Sequence, residues 1–151
     1  MARQRFSMFL ALSAAVALGL GVVAVSAEPG FKVVVNAANP VTGLTKEQLS
    51  GVFLKEITRW EGRGTAAVPV DLAAGSEVRE EFSQAVHGRS TSAIKSHWQR
   101  MIFSGRGVPP PEKATVQEVL AFVTATQGAV GYVPSGTPIR SGVKVIEVTG
   151  L

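Results

Sequence analysis

The stretch from Pro69 to Phe82, PVDLAAGSEVREEF, constrains the fold more than any other part of the sequence. It begins as a run of apolar and β-branched residues, which is typical of a strand, and then passes through the small residues of 73–75. From Ser76 onward, apolar residues recur with the spacing of one helix face, at Val78, Phe82 and Val86. The sequence therefore predicts a strand, a tight turn and a helix whose N-cap is Ser76.

A helix that begins in this way points free backbone N–H groups and the positive end of its dipole outward, where an anion can bind. Most α/β proteins contain several such junctions, and most of these junctions bind nothing. The pattern therefore fits both an anion site and a purely structural turn.

The rest of the chain alternates between strand and helix patterns. Interleaved strands and helices indicate an α/β domain with a mixed, partly parallel sheet flanked by helices. We expect the strands over 31–37 and 67–72 to be parallel neighbours, because the helix between them can serve as the crossover. The predicted strands cover residues 31–37, 67–72, 129–133 and 143–148, and the predicted helices begin at Thr45, Ser76, Ser90 and Thr115.

Residues 1–27 have the composition of a secretory signal peptide. Two arginines precede an apolar segment over 6–25, and Val25-Ser26-Ala27 places small residues before a cut at Glu28. We therefore expect one domain over residues 28–151, periplasmic or secreted after the leader is removed. The apolar segment approaches the length that spans a bilayer, so an uncleaved anchor is the alternative.

The charge and composition exclude several function classes. The formal net charge is +4, but two of the 15 Lys and Arg residues lie in the leader, which leaves 13 against 11 acidic residues. That balance is too mild for a nucleic-acid-binding surface. The chain has no cysteine, so it has no disulfide framework and no thiolate nucleophile.

No residue pattern indicates catalysis, a metal site or a cofactor. Neither of the two histidines, His87 and His97, has a carboxylate or a nucleophile at the spacing of a catalytic or metal-binding motif. Both fit structural roles on helices. Ser76 lacks the G-x-S-x-G frame of a nucleophile elbow. We therefore predict a chain that is not an enzyme.

Four motifs, in order, resemble those of the phosphate-type periplasmic substrate-binding proteins of ABC transporters. The most specific are the first, in which a helix and a Phe precede a tryptophan turn, and the last, in which a helix precedes G-A-V-G-Y-V. The resemblance implies a periplasmic-binding-protein-like fold, and the chain length implies a single lobe of it. The motifs are LTKEQLSGVFLKEITRW (Leu44–Trp60), PVDLAAGSEVREEF (Pro69–Phe82), HWQRMIFSG (His97–Gly105) and VQEVLAFVTATQGAVGYV (Val116–Val133).

The resemblance also implies a role for the turn before the second predicted helix. In that family a Gly-Ser turn and the following helix start hold the anion through backbone N–H and hydroxyl groups, and Gly75 and Ser76 match this turn. Arg79 would add positive charge if its side chain turned toward the site. The candidate ligand-binding residues are therefore Gly75, Ser76, Glu77, Val78 and Arg79.

The chain departs from the family pattern on both sides of this turn. The family carries an arginine and an aspartate just before Gly-Ser, where this chain has Leu72 and Ala74. After Gly-Ser the family favours glycine and threonine, where this chain has Glu77 and Val78. The family also encloses its ligand between two lobes. We therefore expect any oxyanion to bind weakly here.

Three functions follow from these observations. The first is a non-enzymatic substrate-binding-protein-like module with weak affinity for phosphate or another small oxyanion. The second is a partner-binding or sensor lobe with no small ligand, which contacts a membrane transporter or sensor partner or is half of a two-lobed sensor completed by dimerisation or by a second chain. The third is an extracytoplasmic hydrolase that uses Ser76 or His97, which requires a base within hydrogen-bond reach of Ser76.

Overall fold

A computed structural model describes residues 27–61 and 64–151 of the chain. The predicted leader lies, apart from Ala27, outside the described residues. None of the described helices is long and apolar enough to cross a membrane. The strands are β1 (Phe31–Asn36), β2 (Gly43–Thr45), β3 (Val68–Pro69), β4 (Asp71–Leu72), β5 (Glu112–Lys113), β6 (Ala129–Pro134) and β7 (Val143–Thr149). The helices are α1 (Lys46–Phe53), α2 (Glu77–Phe82), which continues as a π-helical segment (Ser83–His87), α3 (Thr91–Phe103) and α4 (Val116–Ala125).

The helices begin where the sequence predicts. Thr45 and Thr115 each accept a hydrogen bond from the backbone N–H three residues later. The side chains of Gln48 and Glu118 return a bond to the backbone of the capping residue, which completes two capping boxes. The side chain of Ser90 caps α3 by accepting a hydrogen bond from the N–H of Ala93, but no side chain that the structure describes returns a bond to the backbone of Ser90.

A five-stranded sheet in the order β2-β7-β1-β6-β3 forms the centre of the domain. The central strand β1 is antiparallel to both of its neighbours, β6 and β7. The edge strands β2 and β3 run parallel to β7 and β6, respectively. Helices α1, α2 and α4 pack on this sheet, so the predicted class, a mixed and partly parallel α/β domain, is confirmed.

One predicted pairing is wrong, because the strands over 31–37 and 67–72 are not parallel neighbours. β6 lies between β1 and β3, and since it is antiparallel to β1 but parallel to β3, those two strands run in opposite directions. The central positions belong to β1 and β6, which are buried along almost their whole length. The predicted strand over 67–72 is also divided in two. Its first part pairs with β6 as far as Val70, and Asp71–Leu72 then pair with β5 in a second sheet.

An aromatic cluster fills the core between the sheet and the first two helices. Phe82 of α2 stacks on Tyr132 of β6, with ring centroids 3.9 Å apart and ring planes 7° from parallel. Phe53 of α1 lies against the same ring of Phe82, at a centroid distance of 4.7 Å. Trp98 of α3 is also buried, whereas Phe122 of α4 is only half-buried at the edge of the core. The cluster joins α1 and α2 to the centre of the sheet.

The glycine at the centre of G-A-V-G-Y-V allows α4 to approach β6 closely. A Cβ atom at Gly131 would lie 2.9 Å from a methyl group of Val70 and 3.0 Å from one of Val119. A contact of 2.9 Å is shorter than real Cβ atoms show and one of 3.0 Å is unusually tight, so any larger residue would force Val70 and Val119 to shift. This motif therefore reflects packing in the core rather than a ligand.

Candidate functional site

The turn between β4 and α2 has the geometry of a helix start. Gly75 has a φ of +93°, a conformation that residues with a side chain rarely adopt. The Ser76 hydroxyl oxygen accepts a hydrogen bond from the N–H of Arg79 over 3.4 Å, as expected of an N-cap. Within the described residues the N–H groups of Glu77 and Val78 have no acceptor, so they are available to a ligand or to water.

The candidate ligand-binding residues differ in how far their side chains reach the surface. Gly75 and Glu77 are exposed, and Ser76 and Val78 are half-buried. Arg79 is only 8% exposed. The structure therefore brings residues 75–78 together at the surface and turns the side chain of Arg79 into the domain.

The guanidinium of Arg79 is held by partners on β4 and β5. Its Nη2 atom lies 3.2 Å from a carboxylate oxygen of Asp71. Its Nη1 atom donates to the Glu112 carboxylate and to the carbonyl of Leu72, both over 2.7 Å. Both terminal nitrogens of Arg79 thus have partners on the core side of the turn, and they link α2 to the small β4–β5 sheet.

Asp71 has a second partner in the core. The hydroxyl of Tyr132 donates a hydrogen bond to its carboxylate and accepts one from the N–H of Leu72 over 3.4 Å. Burial raises the pKa of Asp71 above its ordinary value, and the charge of Arg79 opposes this shift. Burial and the neighbouring Asp71 carboxylate raise the pKa of Tyr132 as well, so the hydroxyl keeps its proton as a donor.

Sequence reasoning missed this cluster, in which Asp71, Arg79 and Tyr132 are buried and the exposed Glu112 completes the contacts of Arg79. A signal was present in V-P-V-D-L, where a single carboxylate follows a run of apolar strand residues. A charged side chain in such a run is rarely buried unless it is paired, so its presence predicts a cationic partner. The sequence does not show which cation pairs with Asp71. It also does not show that Glu112 and Tyr132, which are distant along the chain, complete the cluster.

The two histidines lie apart from the Ser76 hydroxyl. The Nδ1 atom of His87 forms a hydrogen bond with the Ser50 hydroxyl of α1 over 2.8 Å. Burial, with smaller contributions from Arg89 and His97, lowers the pKa of His87 to about 4, so its ring is neutral at pH 7. The Ser50–His87 contact was also missed, since nothing in the sequence links residues this far apart.

The geometry of Ser76 differs from that of a catalytic nucleophile. Its hydroxyl contacts the N–H of Arg79, and no histidine or carboxylate among the described residues bonds to it. The ring of His97 lies edge-on against Trp98 on α3, with centroids 5.1 Å apart. Across 27–61 and 64–151, no group of three or more His, Asp or Glu side chains is arranged to hold a metal ion.

Comparison with known proteins agrees with this fold. A family model described as a PBP superfamily domain matches residues 28–150. The chain belongs to the PBP superfamily. The motif resemblance to phosphate-type binding proteins is thereby confirmed at the level of family and fold.

Solved structures of phosphate receptors are similar to this PBP-superfamily chain. An ABC-type phosphate transport receptor from Vibrio cholerae shares 26% identity at a TM-score of 0.63, and the alignment covers 81% of this chain and 47% of the receptor. A putative phosphate ABC transporter substrate-binding protein with bound phosphate from Clostridium perfringens shares 22% identity at a TM-score of 0.64, with 81% and 46% covered. PstS from Borrelia burgdorferi shares 15% identity at a TM-score of 0.62, with 80% and 47% covered. The chain spans about half the length of these structures.

Proposed function

We propose that this PBP-superfamily chain is a non-enzymatic binding module that acts outside the cytoplasm and contacts phosphate-like oxyanions weakly at residues 75–79. One observation carries the proposal. The N–H groups of Glu77 and Val78 lack acceptors within the described residues, whereas the Arg79 guanidinium is engaged by Asp71 and Glu112. An anion at the turn therefore meets backbone donors and the Ser76 hydroxyl, without direct contact to that guanidinium.

The energies of these contacts indicate weak binding. The start of a helix contributes about 0.3–1 kcal/mol to an anion. A charge-assisted hydrogen bond adds about 1.5–3 kcal/mol. The exposed carboxylate of Glu77, if it lay about 5 Å from a monoanion, would oppose binding by roughly 3 kcal/mol at an effective dielectric constant of about 20. The favourable and opposing energies nearly cancel, which leaves well below the ~4.1 kcal/mol that a dissociation constant of 1 mM requires.

The relatives support the class of ligand and of partner. The Vibrio cholerae protein is a phosphate transport receptor, and the Clostridium perfringens structure contains bound phosphate. We extend this to the present chain as a preference for tetrahedral oxyanions and for a membrane transporter or sensor as partner. Because the chain spans about half of those receptors, its own residues supply one side of a ligand cleft.

Calorimetric titration with phosphate and sulfate tests the proposed site. Wild-type protein should bind both anions at millimolar or weaker affinity. Glu77→Gln should raise the affinity about tenfold or more, because it removes the opposing charge and keeps the side-chain size. Glu147→Gln, which neutralises another exposed carboxylate on β7, is the matched control and should change nothing.

Two outcomes would contradict this proposal in different ways. A wild-type dissociation constant in the micromolar range would show a working receptor whose site does not depend on a free arginine. Equal affinities in the wild type and Glu77→Gln would show that the turn is only structural. The second result would favour a lobe that binds a protein partner without a small ligand. The engagement of Arg79 by two carboxylates already argues against a tight anion site.

A further inference from the structure

The end of α3 and the loop after it present apolar side chains to solvent. Phe103 is 91% exposed, the highest value among the large apolar side chains that the structure describes. Ile102 is 51% exposed and Val108 is 61% exposed. We call these three residues the apolar tip. Apolar side chains exposed singly are common on protein surfaces, but a group of them at one end of a helix indicates a binding surface.

The backbone around the apolar tip is well fixed by hydrogen bonds. The N–H of Gly105, with a φ of +66°, donates to the Ile102 carbonyl over 3.0 Å, and the N–H of Arg106 donates to the Met101 carbonyl over 2.9 Å. These two bonds form a Schellman motif, which reverses the chain at the end of α3. The Lys55 side chain also reaches the carbonyl of Pro109 over 3.4 Å. The tip is therefore a built feature of the fold rather than a frayed helix end.

The segment that carries the apolar tip is basic and contains no acid. Residues 88–111 include Arg89, Lys95, Arg100 and Arg106 and no Asp or Glu. The rest of 28–151 has nine Lys and Arg residues (13 minus these four) against all 11 acids. The next carboxylate along the chain, Glu112, is already paired with Arg79. The carboxylate of Glu80 meets the segment only at its start, where it accepts from the N–H of Thr91. Among the described residues, none of the four cations of the segment forms a salt bridge.

Exposed cations lie on α3 and in the loop that follows it, close along the chain to the apolar tip. Lys95, Ile102 and Phe103 are spaced i, i+7 and i+8 on α3, which places them along one helix face. Arg100 is three residues before Phe103 and is exposed, as are Lys95 and Arg106. The buried residues Ile94 and Trp98 pack into the domain from the face opposite Phe103 and Arg100, whereas Ile102, four residues after Trp98, lies at the edge of the buried stripe. The solvent face of α3 therefore combines exposed apolar groups with positive charge.

We propose that this face docks on the surface of an anionic lipid bilayer, with Phe103 among the acyl chains and the cations at the headgroups. Insertion of a few apolar side chains together with attraction between Lys or Arg and anionic lipid is sufficient for reversible membrane binding. A stable protein interface covers about 800 Å² on each partner, far more than three side chains provide. A bilayer accepts a small protruding tip without a complementary shape, so lipid fits the observations better than a protein partner.

Quenching by brominated lipids tests this proposal in the full chain with a readout that is local to the tip. Phe103→Trp introduces an indole at the tip, and Val145→Trp introduces one at a 48%-exposed position on β7 as the matched control. The signal of Trp60 and Trp98, both buried, is subtracted with wild-type protein. Vesicles contain either phosphatidylcholine alone or phosphatidylcholine with phosphatidylglycerol.

We expect the indole at position 103 to be quenched several-fold more than the indole at 145, and only when anionic lipid is present. Adding Arg100→Gln and Arg106→Gln should weaken the vesicle affinity about 20- to 30-fold, since each cation near the surface contributes about fivefold. Equal quenching at positions 103 and 145, or quenching without anionic lipid, would overturn the proposal. Absence of quenching together with photo-crosslinking of position 103 to a protein would also overturn it and assign the tip to a protein partner.

Discussion

The guanidinium of Arg79 lies 3.2 Å from the carboxylate of Asp71, across the turn that joins β4 to α2. The Arg79 side chain also donates a hydrogen bond to the carbonyl of Leu72, so it links α2 to β4 on the core side of the turn. The turn therefore keeps its helix-start geometry without a ligand. As a consequence, the Arg79 guanidinium pairs with carboxylates of the protein itself and does not contact an anion at the surface.

Replacing Arg79 should destabilise the fold strongly. Arg79→Met keeps most of the side-chain volume but leaves Asp71 buried without its cation, and we expect a loss of about 3–5 kcal/mol in the free energy of unfolding. Urea denaturation measures this quantity. Arg140→Met, at an exposed position, is the control and should change the free energy by less than about 0.5 kcal/mol. A loss below about 1 kcal/mol at Arg79 would contradict its role as the link between α2 and β4–β5.

The aromatic cluster predicts a contrast between two phenylalanines. Phe82 is 2% exposed and stacks on Tyr132, so Phe82→Ala should cost about 3–5 kcal/mol in unfolding free energy. Phe103 is 91% exposed, so Phe103→Ala should cost less than about 0.5 kcal/mol. Thermal and urea unfolding of both variants would check the contrast. Similar losses at the two positions would mean that Phe82 is not a core residue.

The sequence was sufficient to predict features that depend on neighbouring residues. The capping boxes of Thr45 and Thr115 and the N-cap of Ser76 involve residues three positions apart, and all three are present in the structure. The α/β class likewise follows from alternating local patterns. The resemblance of ordered motifs identified the family, which the matching family model confirms.

The pairing of distant segments could not be predicted in the same way. β6 is separated from β1 and β3 by long stretches of sequence, yet it lies between them, and no local pattern reveals this order. The same limit applies to the candidate site. Whether Arg79 faced the turn or the core depended on Glu112 and Tyr132, which only the fold brings close to Asp71.

The cap at the start of α2 gives a smaller, local prediction. Ser76→Ala removes the acceptor for the N–H of Arg79 and should lower the unfolding free energy by about 1 kcal/mol. Ser76→Gly should cost only a few tenths of a kcal/mol, because glycine is tolerated at this position. Chemical denaturation of the pair measures both values. If the two variants lost the same amount, the Ser76 hydroxyl would not act as a cap.

The Ser50–His87 pair makes stability depend on pH. Burial lowers the pKa of His87 to about 4 in the fold, against about 6.5 for an exposed histidine, and Arg89 and His97 add smaller contributions in the same direction. Well above pH 6.5 the ring is neutral in both the folded and unfolded states. Between pH 6.5 and 4 the unfolded chain binds a proton that the folded chain excludes, so this contribution to stability is lost as the pH falls through that range.

We expect His87 to contribute about 2–3 kcal/mol at pH 7 that is gone near pH 4, after allowance for its partial exposure. The raised pKa of Asp71 acts in the opposite sense in acid, because the folded state then binds the extra proton. The test is therefore the difference in unfolding free energy between the wild type and His87→Gln, measured by urea denaturation from pH 4 to 8. That difference should shrink or reverse as the pH falls below 6.5, while His97→Gln, which keeps the burial of His87 and removes only a smaller contribution to its pKa shift, should keep most of the wild-type pH dependence. A difference that stays constant across the whole range would show that His87 accepts its proton as readily in the folded protein as in the unfolded chain.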